Sequence, residues 1–382
     1  MQSSTTIPVG ARSAGDTPPQ QICYLVAPLG QTGGGMGRVM DNLMSASHGE
    51  LAGLRLVALD SRGPGSALAS ICYTACAIGH IVCGAVRGRA ALVHINVGDR
   101  GSLFRKGLII FLAWACRVPI LLHLHAVQHE PYFQQLNSFG KAFVRAMFHA
   151  ARRVVVLGQP WRRWLLEEIK IPDSRIAILQ NGVPFSPQPR VARSGDSPFR
   201  ILFLGNLLER KGVSDLLAAL ASVPSGFSWR ATLAGGGDIG KYQKLAAELG
   251  IADYVHFAGW LDQDGVGQQL AAQDLLVLPS YDEGLPLVIL EALAASVPVI
   301  CTPVGAIPEI MNDGDTALMV TPGDRSGLAA ALTRVMSDPA LETKLRTDGR
   351  DLYDRRLTMA AFMDGLTPHY HACCRPRSPV RA

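Results

Sequence analysis

The sequence is poor in charge and in aromatics, and its cysteines lack the spacing of a metal or redox motif. Charged residues make up 18% and aromatic residues 7% of the 382 positions, while 48% are hydrophobic. A chain so apolar is not a solvating or disordered one, and it is long enough for two domains, each with its own core. The eight cysteines (Cys23, Cys72, Cys76, Cys83, Cys116, Cys301, Cys373 and Cys374) form no CxxC pair and lie mostly in apolar runs. Buried, reduced thiols in a cytoplasmic protein are the expectation, with no metal site. Lys plus Arg number 36 against 31 Asp plus Glu, a net charge of +5 spread along the chain. That balance argues against a nucleic-acid partner and is compatible with an anionic small ligand or an anionic membrane surface.

The first twenty residues contain no apolar core of a secretory signal, so 1–20 and 375–382 are read as disordered tails. One uncharged run, ALASICYTACAIGHIVCGAV at 67–86, is long enough to span a bilayer. Its Ala, Gly, Cys and Ser content and His80 make transfer into lipid weak, and a buried helix is expected there.

Short apolar runs ending in glycine or polar stops alternate with helical stretches. Strand candidates in the first half include ICYLVA, LRLVALD, ALVHINV, PILLHL and RRVVV. The Pro-, Ser- and Arg-rich stretch at 186–199 has no periodicity and reads as a linker, after which the same alternation resumes with RILFLG. The expected fold is α/β, with two doubly wound parallel-sheet domains at 21–185 and 200–355 facing across a cleft. Open sheets of this kind bind ligands outside the carboxyl ends of their strands. Residues 356–374 form a last helix that either packs on the second domain or returns to the first. Within the helical stretch before it, breaks are expected near Asp338 and Gly349.

Three features converge on that cleft. TGGGMGR places Gly33, Gly34 and Gly35 between the first strand and a helix, which suits either a tight turn or a backbone cradle for an anion. No GK[ST] follows, so it is not a P-loop. LGNLLERKG places Asn206, Arg210 and Lys211 at the equivalent turn of the second half, where cations oppose a helix dipole unless a polyanion is bound. Finally, PSYDEGLPLVILEALA puts Glu283 in a strand-exit loop and Pro286 in a first helical turn. It also puts Glu291 inside an apolar helix, where a lone carboxylate needs donors such as sugar or ribose hydroxyls. Two DxD triplets, at 262–264 and 313–315, read as turns rather than metal ligands.

The stretch at 280–324, together with the glycines at 33–35, the NGV turn at 181–183, LFLGNLLERKG, LAGGGD and VHFAGW, resembles retaining glycosyltransferases of family 4, which have the two-domain GT-B fold. The resemblance implies a 21–185 acceptor-side domain and a 200–355 nucleotide-sugar domain. It implies transfer of a hexose, with retention, from a UDP- or GDP-sugar to a glycan or lipid-linked acceptor in polysaccharide or glycolipid synthesis. No cofactor or metal is implied. By the same resemblance Glu283 contacts the transferred sugar, Glu291 the ribose and Lys211 the diphosphate. The backbone at Gly284 and Leu285 approaches sugar or phosphate, and His125 at the exit of LLHLH lies near sugar and acceptor. His123 on the same strand reads as a satisfied core histidine. Asn206 stands where the family often has Arg, so Arg210 or Lys211 alone would carry the charge. The alternative is a catalytically weak nucleotide-sugar-binding protein of the same fold. The apolar 67–110 region with Arg87, Arg89, Arg100, Arg105 and Lys106 suggests a peripheral contact with the inner face of the cell membrane.

Overall fold

The computed structural model describes residues 20–30, 34–64, 67–98, 101–125, 127, 129–185, 191, 193–194 and 197–374. Gly33, both tails and most of the linker lie outside the described residues.

The first domain runs β1 (Ile22–Ala27), α1 (Gly34–Ala46), β2 (Glu50–Leu51), β3 (Leu54–Asp60), α2 (Ala67–Val86), β4 (Ala90–Val97), α3 (Gly101–Ala115), β5 (Ile120–Leu124), α4 (His129–Gln135), α5 (Ser138–Ala150), β6 (Arg153–Val156), α6 (Gln159–Trp164) and β7 (Ile176–Ile178). The second runs β8 (Phe199–Leu204), α7 (Val213–Ala221), β9 (Trp229–Ala234), α8 (Ile239–Glu248), β10 (Val255–Gly259), α9 (Gln263–Ala272), β11 (Leu275–Leu278), α10 (Leu287–Ala294), β12 (Val299–Cys301), α11 (Ile307–Ile310), β13 (Leu318–Met319), α12 (Arg325–Ser337), α13 (Pro339–Leu352) and α14 (Met359–Cys374).

The first sheet has seven strands in the order β2-β3-β1-β4-β5-β6-β7, parallel except for the short β2; the second has six in the order β10-β9-β8-β11-β12-β13. Helices cover both faces, which is why the strands are continuous apolar runs: Cys23 to Ala27 and all of β11 are buried. Chain order reverses between β1 and β4 in one sheet and between β8 and β11 in the other. Those switch points open the crevices in which the glycine turn, the ERKG turn and the EGLP loop lie.

Three local features differ from the sequence expectation. Gly349 does not break a helix; it sits inside α13, where an added methyl would lie 2.8 Å from Leu293 Cδ2 of α10. The glycine is there for close helix packing, and the break comes at a π-turn over Tyr353–Leu357. The second difference is α2, which is not a buried helix. Ala77 and Ile81 face the sheet, while Leu68 and Ile71 are 71% and 63% exposed. It is the one helix among the described residues long and apolar enough to cross a membrane by length and composition, with 28% of that span buried. Third, Lys106 does not belong to a surface basic cluster: on α3 it is fully buried.

After the π-turn the chain crosses back to the first domain. Val183 bridges Thr358, Tyr353 Oη donates to the Val183 carbonyl at 3.1 Å, and α14 then packs on α1, β4 and β5.

The ERKG turn is fixed by Gly212, which has φ +71° and lies so close to β11 that a methyl there would be 2.1 Å from the Pro279 carbonyl oxygen. This contact sets the ERKG turn against the exit of β11. Gly212→Ala combines a left-handed backbone with a backbone clash, and should cost about 2 kcal/mol or more in urea unfolding. An unchanged midpoint would show that the turn does not depend on this contact.

Candidate active site

Gly212 brings Lys211 to the EGLP loop. Lys211 Nζ makes a short charge-assisted hydrogen bond to Glu283 Oε1, and Ser280 Oγ donates to the same oxygen at 2.8 Å. Glu283 is 6% exposed, so its charge is held by one cation and one hydroxyl in little water. Arg210 is exposed and reaches only the Asp282 carbonyl, at 3.4 Å. Asn206 is exposed at the mouth of the same turn. Beneath the loop, Gly305 (φ +60°) leaves no room for a side chain against the carbonyls of Glu283 and Gly284, and Ala306 N donates to Gly284 O at 2.9 Å. Leu285 is buried, and Pro286 is the N-cap of α10 rather than part of its first turn. The positive end of that helix therefore opens beside Glu283 and Lys211.

Glu291 lies on α10 and finds its cation on the other domain. Arg38 Nη2 of α1 is 3.1 Å from Glu291 Oε1, with the Glu291 side chain 11% exposed. Burial pushes its carboxyl above the usual range, and Arg38 opposes that shift. Glu291 Oε2 and Arg38 Nε are both buried and without a hydrogen-bond partner, so the pair retains unmet capacity on each side. A cavity of about 230 Å³ opens beside it, lined by Arg38 and Glu291, by Val266 and Leu270 of α9, and by Phe185 and Arg350 near the crossing.

Two further contacts close the cleft. Gln159 N, at the start of α6, donates to Glu309 Oε1 at 2.7 Å, and a methyl at Gly284 would lie 3.2 Å from Leu157 Cδ1. The EGLP loop therefore faces the exit of β5, where His125 stands. His125 Nε2 is 2.9 Å from Asn96 Oδ1, its ring centroid is 4.1 Å from that of His123, and His94 Nδ1 is 2.8 Å from Tyr370 Oη of α14. His123 is not the satisfied core histidine expected: its Nδ1 meets His94 Nε2 at 3.4 Å, while its buried Nε2 has no partner. Burial pushes the His94 and His125 imidazoles down to about 3, so both are neutral at physiological pH. A neutral His125 can give or accept a hydrogen bond but supplies no charge.

The structure thus brings together Lys211, Glu283, Gly284 and Leu285 from one domain and faces them with the His125 backbone from the other, while Gly34 and Gly35 open α1, the helix that carries Arg38. Arg38, Asn96 and Glu309 were not singled out from the sequence because each acts through a partner far along the chain; Ser280, three residues from its partner Glu283, was missed as well. Asp262 caps α9 through Gly265 N at 2.8 Å, and Asp315 pairs with Lys344 at 2.5 Å, so both DxD triplets serve local structure. Among the described residues no group of three or more His, Cys, Asp or Glu is arranged to hold a metal ion.

Residues 186–352 match the family described as glycosyl transferases group 1, and residues 87–186 match glycosyltransferase family 4. The chain is 36% identical over 169 residues to the lipopolysaccharide core biosynthesis glycosyltransferase LpsE of Rhizobium meliloti, a match covering 44% of this chain and 48% of that protein. It therefore spans about half the length of this relative. Among solved structures, sucrose-phosphate synthase from Thermosynechococcus elongatus superposes with a TM-score of 0.73 at 22% identity, covering 92% of this chain and 98% of the other. HepE from Anabaena, in complex with UDP and glucose, superposes with a TM-score of 0.71 at 17% identity, covering 92% and 100%. At these identities the likeness carries the fold alone.

The imidazoles give a sign-definite pH prediction. Their folded values near 3 lie below the ordinary 6.5, so the unfolded chain binds more protons in that window. Stability is fully present above 6.5 and is lost as pH falls, at up to about 1.4 kcal/mol per pH unit for each ring. His125→Asn, with one ring fewer, should lose less unfolding free energy between neutral pH and pH about 4. Equal losses in the two proteins would show that His125 is already protonated in the fold.

Proposed function

Because this chain belongs to the glycosyl transferases group 1, with the GT-B fold, we propose that it is an enzyme moving a hexose from a nucleotide-diphosphate sugar to an acceptor hydroxyl in polysaccharide or glycolipid synthesis. The observation that carries this reading is the Lys211–Glu283 pair at the start of α10, facing His125 across a closed cleft. In the reading, UDP or GDP lies across the second sheet's switch point. Its ribose hydroxyls donate to the spare capacity of Glu291, and its diphosphate meets Lys211, Arg210 and the amides at Gly284 and Leu285. Asn206 brings no charge, so Lys211 and Arg210 neutralise the leaving group between them. Gly34 and Gly35, with nothing within 4 Å of an added methyl, let the first domain's backbone approach the same phosphates.

The reaction proceeds with retention and needs no metal. The bond from the anomeric carbon to the phosphate oxygen breaks, and the acceptor oxygen bonds to that carbon from the same face. The acceptor's proton passes to the departing phosphate oxygen, leaving a glycoside and a nucleoside diphosphate. Glu283 and His125 orient the sugar, and Lys211 stabilises the charge that develops on the diphosphate in a site with little water. LpsE is described as a lipopolysaccharide core biosynthesis glycosyltransferase, which supports a glycan or lipid-linked acceptor.

Thermal unfolding against UDP, GDP and their sugars tests the donor site. One nucleotide should raise the midpoint by mass action, and Lys211→Ala and Glu291→Ala should each remove most of the rise. No rise for any nucleotide from folded protein would sink the reading.

The peripheral membrane contact belongs to the same proposal. Leu108 and Trp114 of α3 are 53% and 60% exposed, Leu68 and Ile71 are exposed on α2, which packs against α3, and Arg87 and Arg89 follow α2 on the surface. Such a face suits burial in an anionic interface. Wild-type protein should float with vesicles containing anionic lipid, and the double variant Leu108→Glu, Trp114→Glu should not, at an unchanged unfolding midpoint. Equal behaviour of the two proteins would remove the membrane from the proposal.

A further inference from the structure

We propose that the acceptor carries a phosphoryl group, received at the carboxyl edge of the first sheet by Arg62, Arg105 and Lys106 with the hydroxyls of Ser61 and Ser102. This rests on the glycosyltransferase reading and names the acceptor class that the reading leaves open.

The first ground is a group of cations that make no ion pair among the described residues. Burial pushes the Arg105 guanidinium below its usual range, and Arg62 is close enough to add to that shift. Neither makes an ion pair among the described residues. The carboxylate that acts on Lys106 is Asp60, and Asp60 Oδ1 already accepts from three amides, Arg62 N at 2.8 Å, Gly63 N at 3.1 Å and Leu29 N at 3.4 Å. Like charges do not collect at a protein surface without cost unless something negative joins them.

The second ground is orphaned polar atoms in the same place. Arg105 Nε, Ser61 Oγ and Ser102 Oγ are buried with no hydrogen-bond partner, and Ser61 is fully buried. Native folds leave few such atoms unpaired, and each of these can donate to a phosphoryl oxygen. Lys106 is also fully buried. Its ammonium, with three protons to donate, has a close bond to the Asn96 carbonyl and a contact with Met36 Sδ at 3.5 Å, but no carboxylate. Burial and Arg105 hold it down to about 7, a burden that a bound anion would relieve. The helix that carries Ser102, Arg105 and Lys106 has no acid in its first turn, so its positive end adds to the same field.

The third ground is connection to the reacting centre. Asn96 accepts from Lys106 through its backbone carbonyl, and its side-chain oxygen is the partner of His125. One residue therefore joins the cationic group to the histidine at the strand exit that faces the EGLP loop. The donor diphosphate already has Lys211, Arg210 and the start of α10 on the other domain, so the second cationic group suits a second anion. The phosphoryl group can come from a soluble sugar phosphate or from a lipid. In the latter case, Leu68 and Phe104, exposed on the neighbouring helices, would meet the apolar part.

The test is calorimetry with inorganic phosphate, glucose 6-phosphate and vesicles of phosphatidylcholine with or without phosphatidic acid. Each titration uses protein saturated with whichever of UDP or GDP binds, so that the donor site is filled; if neither binds, free protein is used. Arg62→Gln and Arg105→Gln, both at solvent-accessible positions and checked for an unchanged unfolding midpoint, should each weaken phosphate about tenfold while leaving nucleotide affinity as it was. Glucose 6-phosphate bound with the same dependence marks a soluble acceptor; binding only to phosphatidic acid vesicles marks a lipid-linked one. Phosphate that fails to bind, or binds equally to wild type and both variants, overturns the inference. Loss of nucleotide binding in wild type instead overturns the donor reading.

Discussion

A carboxylate buried in an apolar helix must find a cation, and in this protein the cation belongs to the other domain. The Arg38–Glu291 pair spans the cleft, and removing one partner of such a buried pair typically costs about 3–5 kcal/mol. Around it the loops at the carboxyl ends of the two sheets meet: Glu309 accepts from the start of α6, and Gly284 lies against Leu157. The closed cleft is therefore a polar arrangement in which ionic groups substitute for one another. A ribose presenting hydroxyls to Glu291 would meet a site already built to satisfy that carboxylate, which lets donor binding exchange one set of donors for another rather than bury a new charge.

Much of the fold was legible because strands covered on both faces must be apolar throughout, and the runs ICYLVA and DLLVL carry that mark. The loops that follow β8 and β11 were legible for a second reason: glycine and proline punctuate them, and their charges stand against that background. What the sequence hid were relations between distant positions. Nothing near Glu291 points to Arg38, which is 253 positions away by its number, and nothing in LFRKGL says that Lys106 turns inward while Arg105 stays near solvent. The outward face of α2 was hidden because small residues and large ones are mixed all round it, so periodicity assigns it no preferred side. Gly349 misled because glycine both ends helices and lets them pack closely.

The first domain carries two features that seldom share one edge, exposed apolar side chains on α2 and α3 and a group of cations, Arg62, Arg105 and Lys106, without ion pairs among the described residues. Each alone has an ordinary explanation. Together they fit an amphiphilic partner better than a wholly soluble one, since a charged group and an apolar chain would be met by adjoining parts of one surface.

The return of α14 to the first domain has a consequence for how the chain is made. Tyr370 and Phe362 cover His94 and His123, so the core of the domain synthesised first includes residues made only after the second domain. Domains usually complete themselves in order of synthesis, at about 5–20 residues per second. Here the earlier half must wait, with its histidine layer uncovered, through the whole of the second domain, and the two halves can reach their final form only together.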